Sequence, residues 1–138
     1  MRLVVDVNVV FSALVNKGES ARVFEVNKRQ KSFDFIAPEF MLSELQRNFD
    51  KLQRMTKLTK EEISAAFVFI TKQITFIPFS VFSDKLPEAI LLNYNDSPYL
   101  ALALTYKCPI LSGDKGLKKQ TKIRVFSPRE TLDLLGVR

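Results

Sequence analysis

Histidine is absent from this 138-residue sequence, and cysteine occurs only once, as Cys108. Without histidine, the chain cannot use an imidazole general base, a histidine-ligated zinc ion or a Ser-His-Asp triad. One cysteine excludes an internal disulfide and a zinc site built from several thiolates. Cys108 lies in an apolar stretch, which indicates a buried structural thiol and favours a cytoplasmic protein. Any catalysis must therefore use carboxylates, hydroxyls, amines or a bound metal ion.

Long uninterrupted apolar runs are also lacking. The most apolar stretch, residues 3–15, is interrupted by Asp6 and Asn8 and is followed by no small-residue cleavage site. This pattern predicts a buried strand that leads into a helix rather than a signal peptide or a membrane span. We therefore expect a soluble protein with no membrane partner.

The composition favours one domain with a basic surface. Apolar residues make up 46% of the chain, enough for a core in a single domain covering residues 1–138. Lysine and arginine number 21 against 15 acidic residues, a net charge of +6. This excess favours a polyanionic partner without requiring one.

Strand and helix patterns alternate along the chain. Apolar, β-branched runs predict strands at 3–5, 33–37, 74–79, 109–112 and 123–126. Helical periodicity, a Thr59/Glu62 capping box and proline at helix starts predict helices at 9–14, 19–28, 39–55, 59–74, 83–92, 97–107 and 128–135. Alternation of this kind predicts a three-layer α/β sandwich around a mostly parallel five-stranded sheet.

Acidic residues follow two of the predicted strands. Asp6 comes directly after 3–5, and Asp114 comes two residues after Ser112 at the end of 109–112. Ligands of open parallel sheets bind beyond the carboxyl ends of the strands, where the strand order reverses. Asp96 precedes the helix that begins at 97–98, and Glu44 borders the apolar stripe of its helix. We therefore expect these four acids at one edge of the sheet.

Four carboxylates at one edge would repel each other by several kcal/mol unless some are protonated or a divalent cation lies among them. Oxygen ligands without histidine or cysteine select Mg²⁺ or Mn²⁺, ions that support phosphodiester hydrolysis. Asn8 and Ser112 would then orient the carboxylates. Taken singly, Asp6 could be a turn residue, Asn8 and Asp96 helix caps, and Glu44 a solvent-facing side chain.

Four short motifs carry a family resemblance. They are Val4-Val5-Asp6-Val7-Asn8-Val9-Val10, Ser43-Glu44-Leu45, Asp96 before Tyr99-Leu100-Ala101-Leu102-Ala103, and Leu111-Ser112-Gly113-Asp114-Lys115. In this order and over nearly the whole chain, they resemble the PIN domain family, especially its toxin-like branch of VapC-type proteins.

The resemblance implies a five-stranded α/β/α fold, Mg²⁺- or Mn²⁺-dependent cleavage of RNA, and homodimers, with an antitoxin partner for toxin members. It places Asp6, Glu44, Asp96 and Asp114 as catalytic metal ligands, with Asn8 and Ser112 in support. Three residues depart from the family pattern. Val7 replaces a usual threonine, Ser112 stands where threonine is frequent and keeps the hydroxyl, and Gly116 replaces a second acid found in many members. The Gly116 departure leaves the number of metal ions open.

Basic residues follow the last of these acids. This basic run could be a solvated loop, or it could bind the backbone phosphates of RNA. Its members are Lys115, Lys118 and Lys119, followed by Lys122 and Arg124. A second cluster at Arg47, Lys51, Arg54 and Lys57 could line the opposite side of the site.

Two rivals to an active ribonuclease stay open. One is a catalytically inert PIN-like module that only binds RNA or protein. The missing acid at Gly116 is the feature that supports this alternative. The other is a phosphotransferase of the haloacid-dehalogenase type. Residues 6–10 superficially resemble the Asp-x-Asp strand end of that class. However, Asn8 replaces the second acid, and the chain is short for that fold.

Overall fold

A parallel five-stranded sheet forms the centre of the computed structural model, which describes residues 1–137. The strands are β1 (Arg2–Val5), β2 (Asp34–Pro38), β3 (Ile74–Ile77), β4 (Ile110–Leu111) and β5 (Val125–Phe126). They lie in the order β3-β2-β1-β4-β5, and every adjacent pair is parallel. The chain adds β2 and β3 on one side of β1 and β4 and β5 on the other. The strand order therefore reverses between β1 and β4.

Helices connect the strands and flank the sheet. In residues 1–137 they are α1 (Val7–Val15), α2 (Glu19–Gln30), α3 (Phe40–Arg47), α4 (Phe49–Met55), α5 (Lys60–Thr71), α6 (Phe79–Phe82), α7 (Leu86–Leu92), α8 (Ser97–Tyr106) and α9 (Pro128–Leu134). Short 3-10 turns lie at Ser83–Lys85 and Leu117–Lys119. The predicted three-layer α/β/α fold is confirmed. None of the helices in this part of the chain is long and apolar enough to cross a membrane.

The core is centred on β1 and α8. Leu3, Val4 and Val5 are fully buried, as expected for a central parallel strand that is covered on both faces. Four consecutive residues of α8, from Leu100 to Ala103, are also fully buried. The two elements that adjoin Asp6 and Asp96 are therefore deeply packed, which gives the neighbouring end of each a rigid support.

The single helix predicted at 39–55 is wrong, because the chain forms α3 and α4 with a break at Asn48. The Asn48 side-chain amide donates to the Glu44 carbonyl oxygen at 2.7 Å, and the backbone leaves helical geometry at φ −101°, ψ 7°. Asparagine competes in this way with the hydrogen bonds of a helix. The helical hydrogen-bond pattern is therefore interrupted at this residue.

Three predicted strands were too long, and α6 was not predicted. β3 ends at Ile77, because Pro78 has no N–H to donate and begins the turn into α6. β5 begins at Val125 rather than Ile123, because the Gln120 side chain bonds both the N–H and the carbonyl oxygen of Ile123, at 2.9 and 2.6 Å. β4 covers only Ile110–Leu111 of the predicted 109–112.

Candidate active site

The four acidic residues singled out in the sequence lie at the carboxyl edge of the sheet. Asp6 follows β1 and Asp114 follows β4, the two strands between which the order reverses. Asp96 is the residue before α8, and Glu44 lies on α3, which follows β2. Burial is the main cause of the raised pKa values of Asp96 and Glu44, and the charge of Asp6 adds to both. The predicted convergence on one edge is therefore present in the structure.

Asp6 is almost completely buried at the start of α1. Its side chain accepts a hydrogen bond from Ser112 Oγ to Oδ2 at 2.7 Å and one from the Asn8 N–H to Oδ1 at 3.3 Å. Burial raises the pKa of Asp6 and the charge of Asp114 adds to the effect, while these hydrogen bonds oppose it. Asp6, and not Asn8, is thus the residue that caps α1.

Asp96 is the acid with the strongest perturbation. It occupies the N-cap position of α8, yet its side chain makes no capping hydrogen bond. Its Oδ2 atom is buried and accepts no hydrogen bond within residues 1–137. Burial raises the pKa of Asp96 to about 7, and the neighbouring Asp114 and Asp6 carboxylates add to the effect. A role as a simple helix cap does not explain this side chain.

Asp114 is oriented by backbone and hydroxyl groups. Its N–H donates to Ser112 Oγ at 3.1 Å, and its Oδ1 accepts from the Gly116 N–H at 2.8 Å. A Cβ atom at position 116 would lie only 3.2 Å from Asp114 Oδ1. Gly116, which replaces a second acid of the family pattern, therefore allows this close approach to the Asp114 carboxylate.

Glu44 and Tyr99 complete the edge. Glu44 is partly buried; burial and the charge of Asp6 raise its pKa, and Arg47 opposes them. The sequence reasoning missed Tyr99, whose buried hydroxyl has no hydrogen-bond partner within residues 1–137. Burial, followed by the charges of Asp6, Glu44 and Asp96, raises the pKa of this phenol, which stays neutral. Its position one turn after Asp96 on α8 was the available signal.

An open cleft lies beside the carboxylates. Asn8 is exposed and lines an open cleft of about 470 Å³ together with Ser12, Gly113 and Asp114. This cleft gives solvent and ligands access to the carboxyl edge on its α1 side.

The predicted phosphate-binding lysines are all exposed, but they differ in their contacts. Lys118 pairs with Glu130, whose pKa falls to about 2 mainly through this contact. Lys115 and Lys119 make no ion pair within residues 1–137. The second basic cluster follows Glu44 at roughly helical spacing, but the break at Asn48 separates Arg47 on α3 from Lys51 and Arg54 on α4. That cluster consists of Arg47, Lys51, Arg54 and Lys57, all exposed.

The residues present fit a hard divalent cation. Their donor atoms are all carboxylate oxygens, and one of them, Asp96 Oδ2, is buried without a partner in the described chain. Burial, and then the charges of neighbouring carboxylates, raise the pKa values of Asp6, Glu44 and Asp96, so the ionised forms of these groups are unfavourable without a cation. No three acidic side chains in residues 1–137 already stand around a common point, so ligation requires side-chain rotation.

Comparison with known families gives a match over most of the chain. The sequence profile of the PIN domain matches residues 4–126, which include all four acids. The chain belongs to the PIN domain family. This match leaves the haloacid-dehalogenase alternative without support. No curated protein matches this PIN domain by sequence.

A solved structure has the same fold as this PIN domain. It is the crystal structure of VapBC2 from Rickettsia felis bound to a DNA fragment from its promoter, with a TM-score of 0.66 and 14% sequence identity. The similarity covers 92% of this chain and 98% of the matched chain. The resemblance to VapC-type PIN domains stated from the motifs is therefore confirmed at the level of the fold.

Proposed function

We propose that this PIN domain is an endoribonuclease that hydrolyses RNA phosphodiester bonds with Mg²⁺ or Mn²⁺. The observation that supports it most is Asp96, a carboxyl with a pKa near 7 and a buried, unpartnered oxygen beside Asp6 and Asp114. Such an arrangement is unfavourable in the free protein and becomes favourable when a cation is bound. Strongly perturbed carboxyls at a strand-order reversal are typical of a functional site.

Asp6, Glu44, Asp96 and Asp114 would hold the metal ion. When bound, the ion would polarise a phosphoryl oxygen and offset the charge that develops during in-line displacement. Ser112 holds Asp6 in one orientation, and its hydroxyl also receives the Asp114 N–H. Lys115 and Lys119 would contact backbone phosphates beside the cleavage point.

The VapC-like fold supports a proposal about the partners of the chain. We propose that it acts in the cytoplasm as a single-domain toxin, forms a homodimer and is bound by an antitoxin protein. The matched structure holds VapBC2 together with promoter DNA, which supports a toxin-antitoxin setting.

A catalytically inert PIN module that only binds RNA or protein is the second candidate. Gly116 favours it, because the β4 side of the site supplies Asp114 without the second acid of the family pattern. Metal-dependent cleavage by the purified protein would exclude this candidate.

The proposed function is tested by single-stranded RNA cleavage with Mn²⁺, with EDTA, and in the variants Asp6→Asn and Asp96→Asn. We expect cleavage only with metal, and a loss in both variants that exceeds the roughly 10- to 100-fold effect of residues that merely orient a ligand. Asp34→Asn is the matched control, because Asp34 is exposed and begins β2 at the opposite edge of the sheet. Cleavage that persists in EDTA or in either site variant would refute the proposal.

A further inference from the structure

Exposed aromatic rings are concentrated at the edge of the sheet that holds the carboxylates. Within residues 1–137, three aromatic side chains are exposed: Phe40 at 40%, Phe79 at 56% and Tyr94 at 75%. Phe40 begins α3 directly after β2, and Phe79 begins α6 directly after β3. Tyr94 comes two residues before Asp96. All three therefore lie at the carboxyl edge, although nothing about burial in the core requires them there.

Phe40 is the ring that borders the site most directly. It lies one helical turn before Glu44 on α3, so the two side chains share a face of that helix. Its ring packs against Tyr99 with a centroid distance of 5.9 Å and an interplanar angle of 60°. Tyr99 is buried close enough to Asp6, Glu44 and Asp96 for their charges to act on its hydroxyl. One side of the Phe40 ring is thus held by the site, while the rest faces solvent.

The order of the strands separates two kinds of surface. Phe40 and Phe79 follow β2 and β3, on one side of Asp6, whereas Lys115 and Lys119 follow β4 on its other side. A single strand of nucleic acid combines a charged backbone with flat bases, and its bases stack on exposed aromatic side chains. A strand lying across this edge would meet lysines on one side of the carboxylates and rings on the other.

We propose that Phe40 forms a nucleobase-binding subsite, in which an unpaired base of the RNA stacks on the exposed ring beside the carboxylates. Phe79, after the next strand, extends the same surface. The identity of the ligand as RNA rests on the proposed function, whereas the position of the subsite rests on the exposure and contacts of Phe40.

Binding of a fluorescently labelled single-stranded RNA oligonucleotide in EDTA tests this subsite, because no metal-dependent cleavage then occurs. Phe40→Ala should raise the dissociation constant roughly 5- to 150-fold, the effect of losing one base-aromatic stack. Phe40→Trp should bind at least as well as wild type, and Phe40→Leu should bind weakly, since it keeps the apolar volume without a π face. Val68→Ala, at a residue of similar exposure on α5, is the matched control.

Three results would overturn the subsite. The first is unchanged RNA affinity in Phe40→Ala, and the second is wild-type affinity in Phe40→Leu. The third is a loss of RNA affinity that occurs only where sedimentation shows that the variant has changed from a dimer to monomers. Thermal unfolding of each variant checks that a loss of affinity does not reflect unfolding. The two proposals fail separately. A wild-type protein that does not cleave RNA with Mn²⁺ refutes the ribonuclease, while the Phe40 comparison in EDTA still tests the stacking surface.

Discussion

Ser112 donates a hydrogen bond of 2.7 Å from its Oγ to Asp6 Oδ2, and both side chains are buried at the ends of adjacent parallel strands. The same oxygen accepts the Asp114 N–H at 3.1 Å. One hydroxyl therefore links the acid after β1 to the acid after β4, across the point where the strand order reverses. This link fixes the spacing between the two strand ends that carry the site.

Removal of this hydroxyl should be costly. Ser112→Ala leaves the buried Asp6 carboxyl without one donor, and a lost hydrogen bond to a charged group costs about 1.5–3 kcal/mol of unfolding free energy. Urea denaturation at neutral pH measures the change. Ser112→Thr keeps the hydroxyl and should lose less than Ser112→Ala; the reverse ranking, or a wild-type value for Ser112→Ala, would contradict this role.

The raised pKa of Asp96 predicts a pH-dependent stability in metal-free protein. In the folded state this pKa is about 7, against an ordinary value of 3.8. Between pH 3.8 and about 7, Asp96 stays protonated in the folded protein but is ionised in the unfolded chain. The contribution of Asp96 to the free energy of unfolding is therefore fully present at acid pH and is lost as the pH rises through about 7. Asp96→Asn removes the titration and keeps the shape of the side chain.

Melting temperatures in EDTA check this sign. We expect wild type to lose stability relative to Asp96→Asn as the pH is raised from about 5 to about 8. Asp34→Asn should run parallel to wild type. A melting-temperature difference, wild type minus Asp96→Asn, that stays constant or increases over this range would contradict the pKa assignment.

The contact between Gly116 and Asp114 predicts a steric effect on activity. In Gly116→Ala the added Cβ would lie 3.2 Å from Asp114 Oδ1, so the carboxylate must shift by a few tenths of an ångström. We expect slower RNA cleavage with unfolding free energy within about 1 kcal/mol of wild type, because Gly116 has helical backbone angles (φ −61°, ψ −38°) that alanine adopts without strain. Gly113→Ala is the control, because a Cβ there meets no atom within 4 Å. Equal rates in the two variants would argue against the positioning of Asp114 by Gly116.

The lysines after Asp114 should contribute unequally to RNA binding. In a plot of the logarithm of the RNA association constant against the logarithm of the salt concentration, each phosphate contact on a single strand contributes about 0.7 to the slope. The double variant with Lys115→Ala and Lys119→Ala should therefore have a slope smaller in magnitude by about 1.4. Lys118→Ala should change it less, because Lys118 pairs with Glu130. Affinity titrations at several salt concentrations measure the slopes. A larger change of slope in Lys118→Ala than in Lys115→Ala would contradict this prediction.

Much of the fold could be predicted because its strongest signals are local. The β-branched run before Asp6 and the apolar residues of α8 are buried as expected, and the Thr59/Glu62 capping box is present. Since parallel strands end at a common edge, acids at strand ends could also be placed together without knowing any contact. These predictions needed only periodicity and topology.

The remaining features depend on contacts between distant residues or on single side chains. The break at Asn48 follows from one amide that bonds a carbonyl oxygen, and the late start of β5 follows from Gln120. The place of Tyr99 among the acids and the exposure of Phe40 follow from how α8 and α3 pack at the edge of the sheet. Neither hydrophobic periodicity nor residue spacing carries such information.

Calorimetric titration with Mn²⁺ tests most directly whether carboxylates from β1, α3, α8 and β4 form one cation site. We expect saturable binding by the wild-type protein, retained by Asp34→Asn and lost in Asp6→Asn and Asp96→Asn, because every carboxylate contributes to the same site. Equal binding by wild type and Asp6→Asn, or no saturable binding by wild type, would contradict a shared metal site at this edge of the sheet.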